Sequence, residues 1–224
     1  MNSILIPAAG TASRMRGLPK FLLPSGEGNL TMLETHLLKV KDLADEILIG
    51  VNPIFLDLVL NSGLNLQKAQ VLPITSSSMV ETVLNLINKS NANRFMTIMP
   101  DSGFLGQSPY KYIMESESDL NLGLWNIRDE QRGKLGQILI SKEGYVLDCV
   151  DKDPKCKYEF CWGLLSFSRN FLKCLEPTLP HFGIGILSAI KHGIAVKGTI
   201  LNGTYWDCGT PQEYIKYLQM VESI

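Results

Sequence analysis

Apolar runs alternate with amphipathic segments throughout the first half of the chain, and this pattern constrains the fold more than any other feature. Four runs are short and apolar, as is typical of buried strands: residues 4–6, 46–51, 69–72 and 95–99. Helices are predicted between them, because Thr31 and Ser78 each begin a capping box and Asn52 precedes Pro53 as an N-cap. A repeated strand–helix order needs crossover connections between parallel strands. The first half therefore predicts a parallel sheet with helices on both faces.

The second half of the chain has a different pattern. Four segments predict strands joined by short turns, at residues 120–127, 135–140, 145–150 and 160–168. Further elements are predicted as helices at residues 169–175 and 184–192, a strand at 195–201 and a last helix capped by Thr210 and Glu213. These additions make the predicted central sheet mixed but mostly parallel. No repeat, low-complexity tract or linker is present, so a single domain over residues 1–224 is expected.

Composition excludes several classes of function. The 21 Lys and Arg residues balance 22 Asp and Glu residues, so no overall basic field is available to hold nucleic acid or an anionic membrane. The first ten residues lack the charged and apolar regions of a signal peptide, and no run is long enough to span a membrane. The 5 cysteines form no CxxC pair. We therefore expect a soluble cytoplasmic protein without nucleic-acid or membrane partners.

Small residues follow the first predicted strand, and two positively charged residues come after them. The small residues are Ala8, Ala9, Gly10, Thr11 and Ser13, and the charged residues are Arg14 and Lys20. Small side chains let backbone N–H groups approach a phosphate closely, and the two charges suit a polyphosphate. The segment contains neither a Walker A motif nor GxGxxG. From spacing alone, an ordinary polar loop is an equally good interpretation.

This stretch resembles the signature of the nucleotidyltransferases that activate sugar 1-phosphates, with residues 7–15 and 18–24 carrying the likeness. Further segments resemble other motifs of the family, in the same order along the chain: residues 77–82, Asp101, 134–137, 150–154, 162–165 and 205–214. Two residues depart from the pattern, since Ala12 and Ser78 stand where the family has or often has glycine. The short gap between Arg14 and Lys20 is closer to cytidylyltransferases of the methylerythritol phosphate type.

The resemblance implies a three-layer α/β/α, Rossmann-like (GT-A-like) fold and a specific reaction. A sugar 1-phosphate oxygen would attack the α-phosphorus of a nucleoside triphosphate, releasing pyrophosphate and giving an NDP-sugar. The attacking oxygen is already anionic, so catalysis would need positioning and charge neutralisation more than a general base. The sequence fits this, because it offers no arrangement typical of nucleophilic catalysis.

The resemblance also assigns roles to residues of this chain. Arg14, Lys20 and Lys152 would be catalytic. Nucleotide binding would involve Ala8, Ala9, Gly10, Thr11, Ser13, Ser78 and Asp101. Asp151, Lys152 and Gly163 would bind the sugar phosphate. Asp101 and Asp207 would bind Mg²⁺, which needs only one or two carboxylates beside phosphate oxygens. Taken separately, each aspartate is better explained as a structural residue that caps or turns the chain.

Three other functions remain open. A cytidylyltransferase acting on a non-sugar phosphorylated alcohol fits the short gap between Arg14 and Lys20. A GT-A-type glycosyltransferase would use a related fold but would need a D-x-D metal motif, and 151–153 follows an unsuitable strand for it. A catalytically silent regulatory subunit would explain Ala12 and Ser78. A homo-oligomer is expected from the habits of the family, although no pattern in the sequence derives it.

Overall fold

Strands and helices alternate along residues 1–223, the part of the chain that the computed structural model describes. The strands are β1 (Asn2–Ala8), β2 (Glu46–Val51), β3 (Gln70–Pro73), β4 (Arg94–Ile98), β5 (Ser102–Gly106), β6 (Leu120–Asn126), β7 (Gly136–Ile140), β8 (Val146–Asp151), β9 (Phe160–Ser168), β10 (Val196–Ile200) and β11 (Gly203–Asp207). The α-helices are α1 (Met32–Val40), α2 (Pro53–Asn61), α3 (Met79–Ile87), α4 (Tyr110–Met114), α5 (Phe182–Lys191) and α6 (Pro211–Glu222).

The main sheet is mixed and mostly parallel, as the sequence predicts. Its order is β10-β6-β9-β4-β1-β2-β3, and β7 joins it beside β9 with β8 on its outer side. β1 pairs in parallel with both β2 and β4, and β10 pairs in parallel with β6. β9 is antiparallel to both of its neighbours in that order. The carboxyl ends of β1, β2, β3 and β4 therefore meet at one edge of the sheet.

Helices cover both faces of this sheet and give the three layers. One buried cluster joins α3 and α5 to one face through residues such as Val83, Ile186 and Leu5. A second cluster joins α1, α2 and α4 to the other face, where Ile4 and Ile6 alternate with Leu5 along β1. Within residues 1–223, no helix combines the length and apolar character needed to cross a lipid bilayer.

The helix-start signals are largely confirmed. Thr31 and Glu34 form the complete capping box at α1. Ser78 caps α3 by accepting from the N–H of Glu81, but the Glu81 carboxylate accepts from the N–H of Ser77 instead of completing the predicted box at Ser78. The predicted helix at residues 169–175 is a 3₁₀ turn, Arg169–Cys174.

A second, two-stranded sheet lies beside the main one and is absent from the sequence prediction. β5 and β11 pair antiparallel, with Asp207 opposite Ser102 and Trp206 opposite Gly103. The N–H of Cys208 also donates to the carbonyl of Asp101 at 3.0 Å. This ribbon brings the chain around residue 207 against the end of β4.

Candidate active site

A cleft of about 250 Å³ opens at the carboxyl ends of the parallel strands. Its walls come from the loop after β1, the segment before α3 and the residues after β4. Of the residues predicted to bind the nucleotide, the cleft is lined by Ala8, Ala9, Gly10, Ser78 and Asp101, and Lys20, which was predicted to be catalytic, lines it as well. Open α/β sheets bind ligands at this edge, where strand ends and helix N-termini converge.

The loop after β1 is shaped by a left-handed residue and by a neighbouring strand. Ala12 has φ 54° and ψ 26°, a left-handed conformation that glycine favours. Glycine is also the residue that the family signature has at this position. The Asn52 amide donates to the carbonyl of Ala9 at 3.0 Å, while its oxygen accepts from the N–H of Ile54 and caps α2. Asn52 therefore ties the loop to the end of β2.

The N-terminus of α3 forms the opposite wall. Ser76, Ser77, Ser78 and Met79 line the cleft there. The Glu81 carboxylate holds Ser77 by accepting from its backbone N–H and its hydroxyl, and these hydrogen bonds lower the pKa of Glu81. The positive end of a helix dipole thus faces the cleft, which favours an anionic ligand.

Two carboxylates converge where this cleft meets the two-stranded sheet. Asp101 follows β4, and Asp207 ends β11 directly opposite the residue after Asp101. The pKa of Asp207 is raised to about 6, first by burial and then by the negative charge of Asp101, while Lys20 lowers it. A carboxylate whose pKa is raised by a neighbouring carboxylate is a group that a bound cation would stabilise.

Lys20 already supplies one positive charge to this pair. Its ammonium forms an ion pair with Asp101, and the two side chains are 16% and 20% exposed. Arg14 lies in an exposed 3₁₀ turn, Ser13–Met15, and its charge also lowers the pKa of Asp207. Thr11 and Ser13 are exposed on the same loop. The positive charges of Lys20 and Arg14 therefore both lower the pKa of Asp207.

The donor set suits a hard divalent cation. Asp101 and Asp207 offer carboxylate oxygens, the ligand type that Mg²⁺ prefers, and Mg²⁺ commonly uses one or two carboxylates with substrate phosphates. Across residues 1–223, no group of three or more His, Cys, Asp or Glu side chains is placed to hold a metal. Two neighbouring carboxylates, one of them buried, therefore fit Mg²⁺ by the chemistry of their donor atoms.

Two of the residues predicted to bind the acceptor, Asp151 and Lys152, lie at the end of β8. Asp151 ends β8, and its carboxylate lies 3.6 Å from Nε2 of His181. Lys152 follows in a left-handed conformation, with φ 52°, and its side chain is exposed. Its backbone N–H donates to the carbonyl of Leu135, a residue that shares a small pocket with Asp207. This hydrogen bond places the turn after β8 near the carboxylate pair.

Packing against an aromatic ring accounts for Gly163. A Cβ at this position would lie 2.4 Å from the Tyr205 ring, and Gly163 is buried. Tyr205 in turn stacks on Trp125, with ring centroids 5.4 Å apart, and Trp125 is 1% exposed. Trp125 is therefore a core residue and is not available to stack on a ligand. Trp206 is also buried, under the guanidinium of Arg128 at 3.9 Å from its ring centroid.

Solved structures match the whole length of this chain. A putative glucose-1-phosphate thymidylyltransferase from Bacillus anthracis has a TM-score of 0.83, with 100% of this chain and 96% of that chain covered at 18% identity. The chain has the nucleotidyltransferase fold. A UDP-glucose pyrophosphorylase complexed with UDP-glucose gives a TM-score of 0.82, with 16% identity over 100% and 99% of the two chains. The inositol-1-phosphate CTP transferase from T. maritima gives 0.76, with 16% identity over 99% and 96%.

Comparisons of the sequence itself find no relative that would narrow the function within this fold. No protein-family model matches the chain, and no curated protein matches it.

Several residues of this candidate site were not identified from the sequence. Asn52 carries the signal of a helix cap, and nothing in the pattern indicates its second bond to Ala9. Arg128 also lies beside Asp207, together with Lys134, a residue of the 134–137 motif that pairs with Glu213 at 2.8 Å. These contacts depend on the β5–β11 pairing, which brings distant segments together.

Proposed function

We propose that this protein transfers a nucleotidyl group from a nucleoside triphosphate to a sugar 1-phosphate, with Mg²⁺, giving an NDP-sugar and pyrophosphate. The observation that carries the proposal is the cluster of Lys20, Asp101 and Asp207 at the end of a cleft suited to a polyphosphate. The same fold in sugar-1-phosphate nucleotidyltransferases supports it. The continuous main sheet supports one domain for this activity.

The nucleotide would lie between the loop after β1 and the N-terminus of α3. Backbone N–H groups near Ala9 and Gly10 would approach the phosphates, and Arg14 would hold the leaving pyrophosphate with its planar fork. Lys20 would neutralise charge at the α-phosphate as the attacking oxygen approaches. No general base is required, because a phosphate oxygen of the acceptor is already anionic.

Asp101 and Asp207 would hold the Mg²⁺ ion. When bound, this ion supplies positive charge that offsets the repulsion between the two phosphorylated substrates. The two carboxylates are preorganised for it, since pairing of β5 with β11 fixes the backbone beside both. Lys20 then becomes available for the phosphates.

The acceptor would bind on the side of β8. Lys152 would contact its phosphate, and Asp151 would accept hydrogen bonds from its hydroxyl groups. His181 limits the freedom of the Asp151 carboxylate. These two roles predict that changes at Lys152 or Asp151 raise the KM for the acceptor more than the KM for the nucleotide.

A cytidylyltransferase acting on a phosphorylated alcohol other than a sugar is the second candidate. Two observations favour it: the short separation of Arg14 from Lys20, and the full-length structural likeness to an inositol-1-phosphate CTP transferase. The site chemistry would be the same, because only the group carried by the acceptor phosphate changes.

The test is pyrophosphate release with Mg²⁺ across a matrix of substrates. Five nucleoside triphosphates are paired with glucose 1-phosphate, mannose 1-phosphate, inositol 1-phosphate, phosphocholine and methylerythritol phosphate. We expect one pair to react, with activity abolished by EDTA and by Asp101→Asn but retained by Asp57→Asn on the exposed face of α2. Release of free nucleoside diphosphate from an NDP-sugar would identify a glycosyltransferase instead. Nucleotide binding without turnover would support a regulatory subunit.

A further inference from the structure

The turn after β8 is held by a polar network that the proposed reaction does not use. Gln137 on β7 is completely buried, yet both polar atoms of its amide are in hydrogen bonds. Its nitrogen donates to the carbonyl of Asp153 at 2.7 Å, and its oxygen accepts from Arg132 at 3.0 Å. Gln137 thus connects the guanidinium of Arg132 to the turn that carries Lys152.

Arg132 holds the far side of the same turn. Its Nη1 also donates to the carbonyls of Cys156 and Tyr158, at 3.2 and 2.9 Å. The turn is therefore fixed at Asp153 by Gln137 and at its end by Arg132, with the N–H of Lys152 bound to Leu135 at its start. Most of this side chain is shielded, since Arg132 is 20% exposed.

Lys152 is the residue that needs such support. Its left-handed backbone is unfavourable for a side chain with a Cβ, and such conformations persist where the surroundings over-determine them. The left-handed turn sets the direction in which the exposed lysine leaves the backbone. A turn that relaxed to an ordinary conformation would aim this cation elsewhere.

We propose that Arg132 and Gln137 are positioning residues, which fix the turn at residues 151–158 so that Lys152 is held ready for the phosphate of the acceptor. The inference rests on the proposed function, because it assigns the acceptor to this turn. It adds that acceptor affinity depends on a buried amide that never touches the substrate. The charge of Lys152 on a turn that is not fixed would not give this affinity for the acceptor.

Two variants of the network test this. Gln137→Glu keeps the size and still accepts from Arg132, but it no longer donates to Asp153. Arg132→Lys keeps the charge but removes Nη1, the atom that donates to Gln137, Cys156 and Tyr158, and a shorter ammonium side chain cannot occupy its place in the planar guanidinium. Arg169→Lys is the matched control, because Arg169 also donates to backbone carbonyls, those of Ala92 and Ser90 at 2.8 and 3.0 Å.

The readout is the split between the two KM values, measured with the substrate pair that the wild-type protein turns over in the matrix. We expect Gln137→Glu and Arg132→Lys to raise the acceptor KM tenfold or more, with the nucleotide KM within twofold of wild type. Arg169→Lys should leave the ratio of the two unchanged. Acceptor KM values within twofold of wild type in both variants, or equal rises in both KM values, would overturn the inference.

A second measurement does not depend on turnover, so it can also be made on a variant that is inactive or folds poorly. Limited trypsin digestion reports the exposure of Lys152, Lys155 and Lys157 in the turn. We expect faster cleavage there in Arg132→Lys than in wild type or Arg169→Lys, whereas equal rates would show that Arg132 does not fix the turn. Failure of the proposed function is recognised separately, as absence of pyrophosphate from the wild-type protein with every acceptor, and it would remove the assigned role of the turn as well.

Discussion

Lys20 forms an ion pair with Asp101 across 81 residues of sequence. Asp101 is also the carboxylate that the proposed reaction assigns to Mg²⁺, so the ammonium and the cation compete for the same group. The pair is well shielded, with 16% and 20% of the two side chains exposed. Lys20 therefore stabilises the carboxylate pair in the absence of ligands, and in the proposed reaction it would shift from Asp101 towards the phosphates.

Replacing Lys20 with methionine should have opposite effects on metal and turnover. Without nucleotide, Mn²⁺ should bind Lys20→Met roughly threefold or more tightly, because the competing charge is gone. Turnover should fall by roughly 10²–10³, as for loss of a group that stabilises developing charge. Electron paramagnetic resonance of bound Mn²⁺ and pyrophosphate release measure the two effects. Lys39→Met removes another ion pair, between Lys39 on α1 and Glu27 in the preceding loop, and should change neither.

Asp207→Asn should stabilise the fold and inactivate the protein. The pKa of Asp207 is raised from 3.8 to about 6, so ionisation costs stability; the cost is absent below 3.8 and complete above about 6. At pH 7 we expect a gain of about 1–3 kcal/mol in the free energy of unfolding, with turnover reduced by about 10² or more. Denaturant unfolding and pyrophosphate release check this. A variant that is less stable than wild type would show that the carboxylate is structural.

Ala12→Gly should relieve backbone strain in the nucleotide loop. Ala12 has φ 54°, a conformation that costs about 1–2 kcal/mol for a residue with a Cβ. The greater flexibility of glycine in the unfolded chain offsets part of the gain, so we expect up to about 1 kcal/mol in stability. The nucleotide KM should fall or stay level. Thermal unfolding with and without nucleotide distinguishes the two effects, and a loss of stability would contradict the prediction.

The sequence predicted the main sheet well because its strands are local apolar patterns. Residues 4–6, 46–51 and 95–99 lie inside β1, β2 and β4 or extend β4 by one residue, and the capped helices begin where predicted. The cleft at their carboxyl ends follows from that order. The resemblance then added roles that patterns alone left undecided.

The pairing of β5 with β11 was not predictable in the same way. Both strands contain glycine, and neither has a clear alternation of apolar and polar residues. Their pairing joins Ser102 to Asp207, so no local signal reports it. The hydrogen bonds of Arg132 to backbone carbonyls also leave no trace in residue spacing. Asp207 could be placed beside Asp101 only through the resemblance.

Gly163→Ala should reveal whether this glycine serves packing. A Cβ would come within 2.4 Å of Tyr205, whose ring is held by Trp125 and Phe104. Overpacking of this kind should lower the free energy of unfolding by about 1–3 kcal/mol. In a Tyr205→Leu background the same change should cost less, which a double-mutant cycle measures. Wild-type stability with a raised acceptor KM would instead indicate contact with the acceptor.

His36 should make stability depend on pH. This histidine of α1 is 2% exposed, and its Nδ1 lies 2.7 Å from the hydroxyl oxygen of Tyr110. Burial, followed by the charge of Lys39, lowers the pKa of His36 from 6.5 to about 4. Between these values the unfolded chain binds a proton that the folded chain does not, so stability falls as the pH falls.

The contribution of His36 is isolated by comparison with His36→Gln. Wild type should lose about 3 kcal/mol relative to this variant as the pH falls from 6.5 to about 4, since each unit of pKa shift corresponds to about 1.4 kcal/mol. Above pH 6.5 the difference in the free energy of unfolding between the two proteins should be constant. Denaturant unfolding at several pH values measures it, with His192→Gln at an exposed histidine as the control. If wild type and His36→Gln respond in parallel across this range, His36 takes up its proton at the same pH in the folded and unfolded chains, which would contradict the prediction.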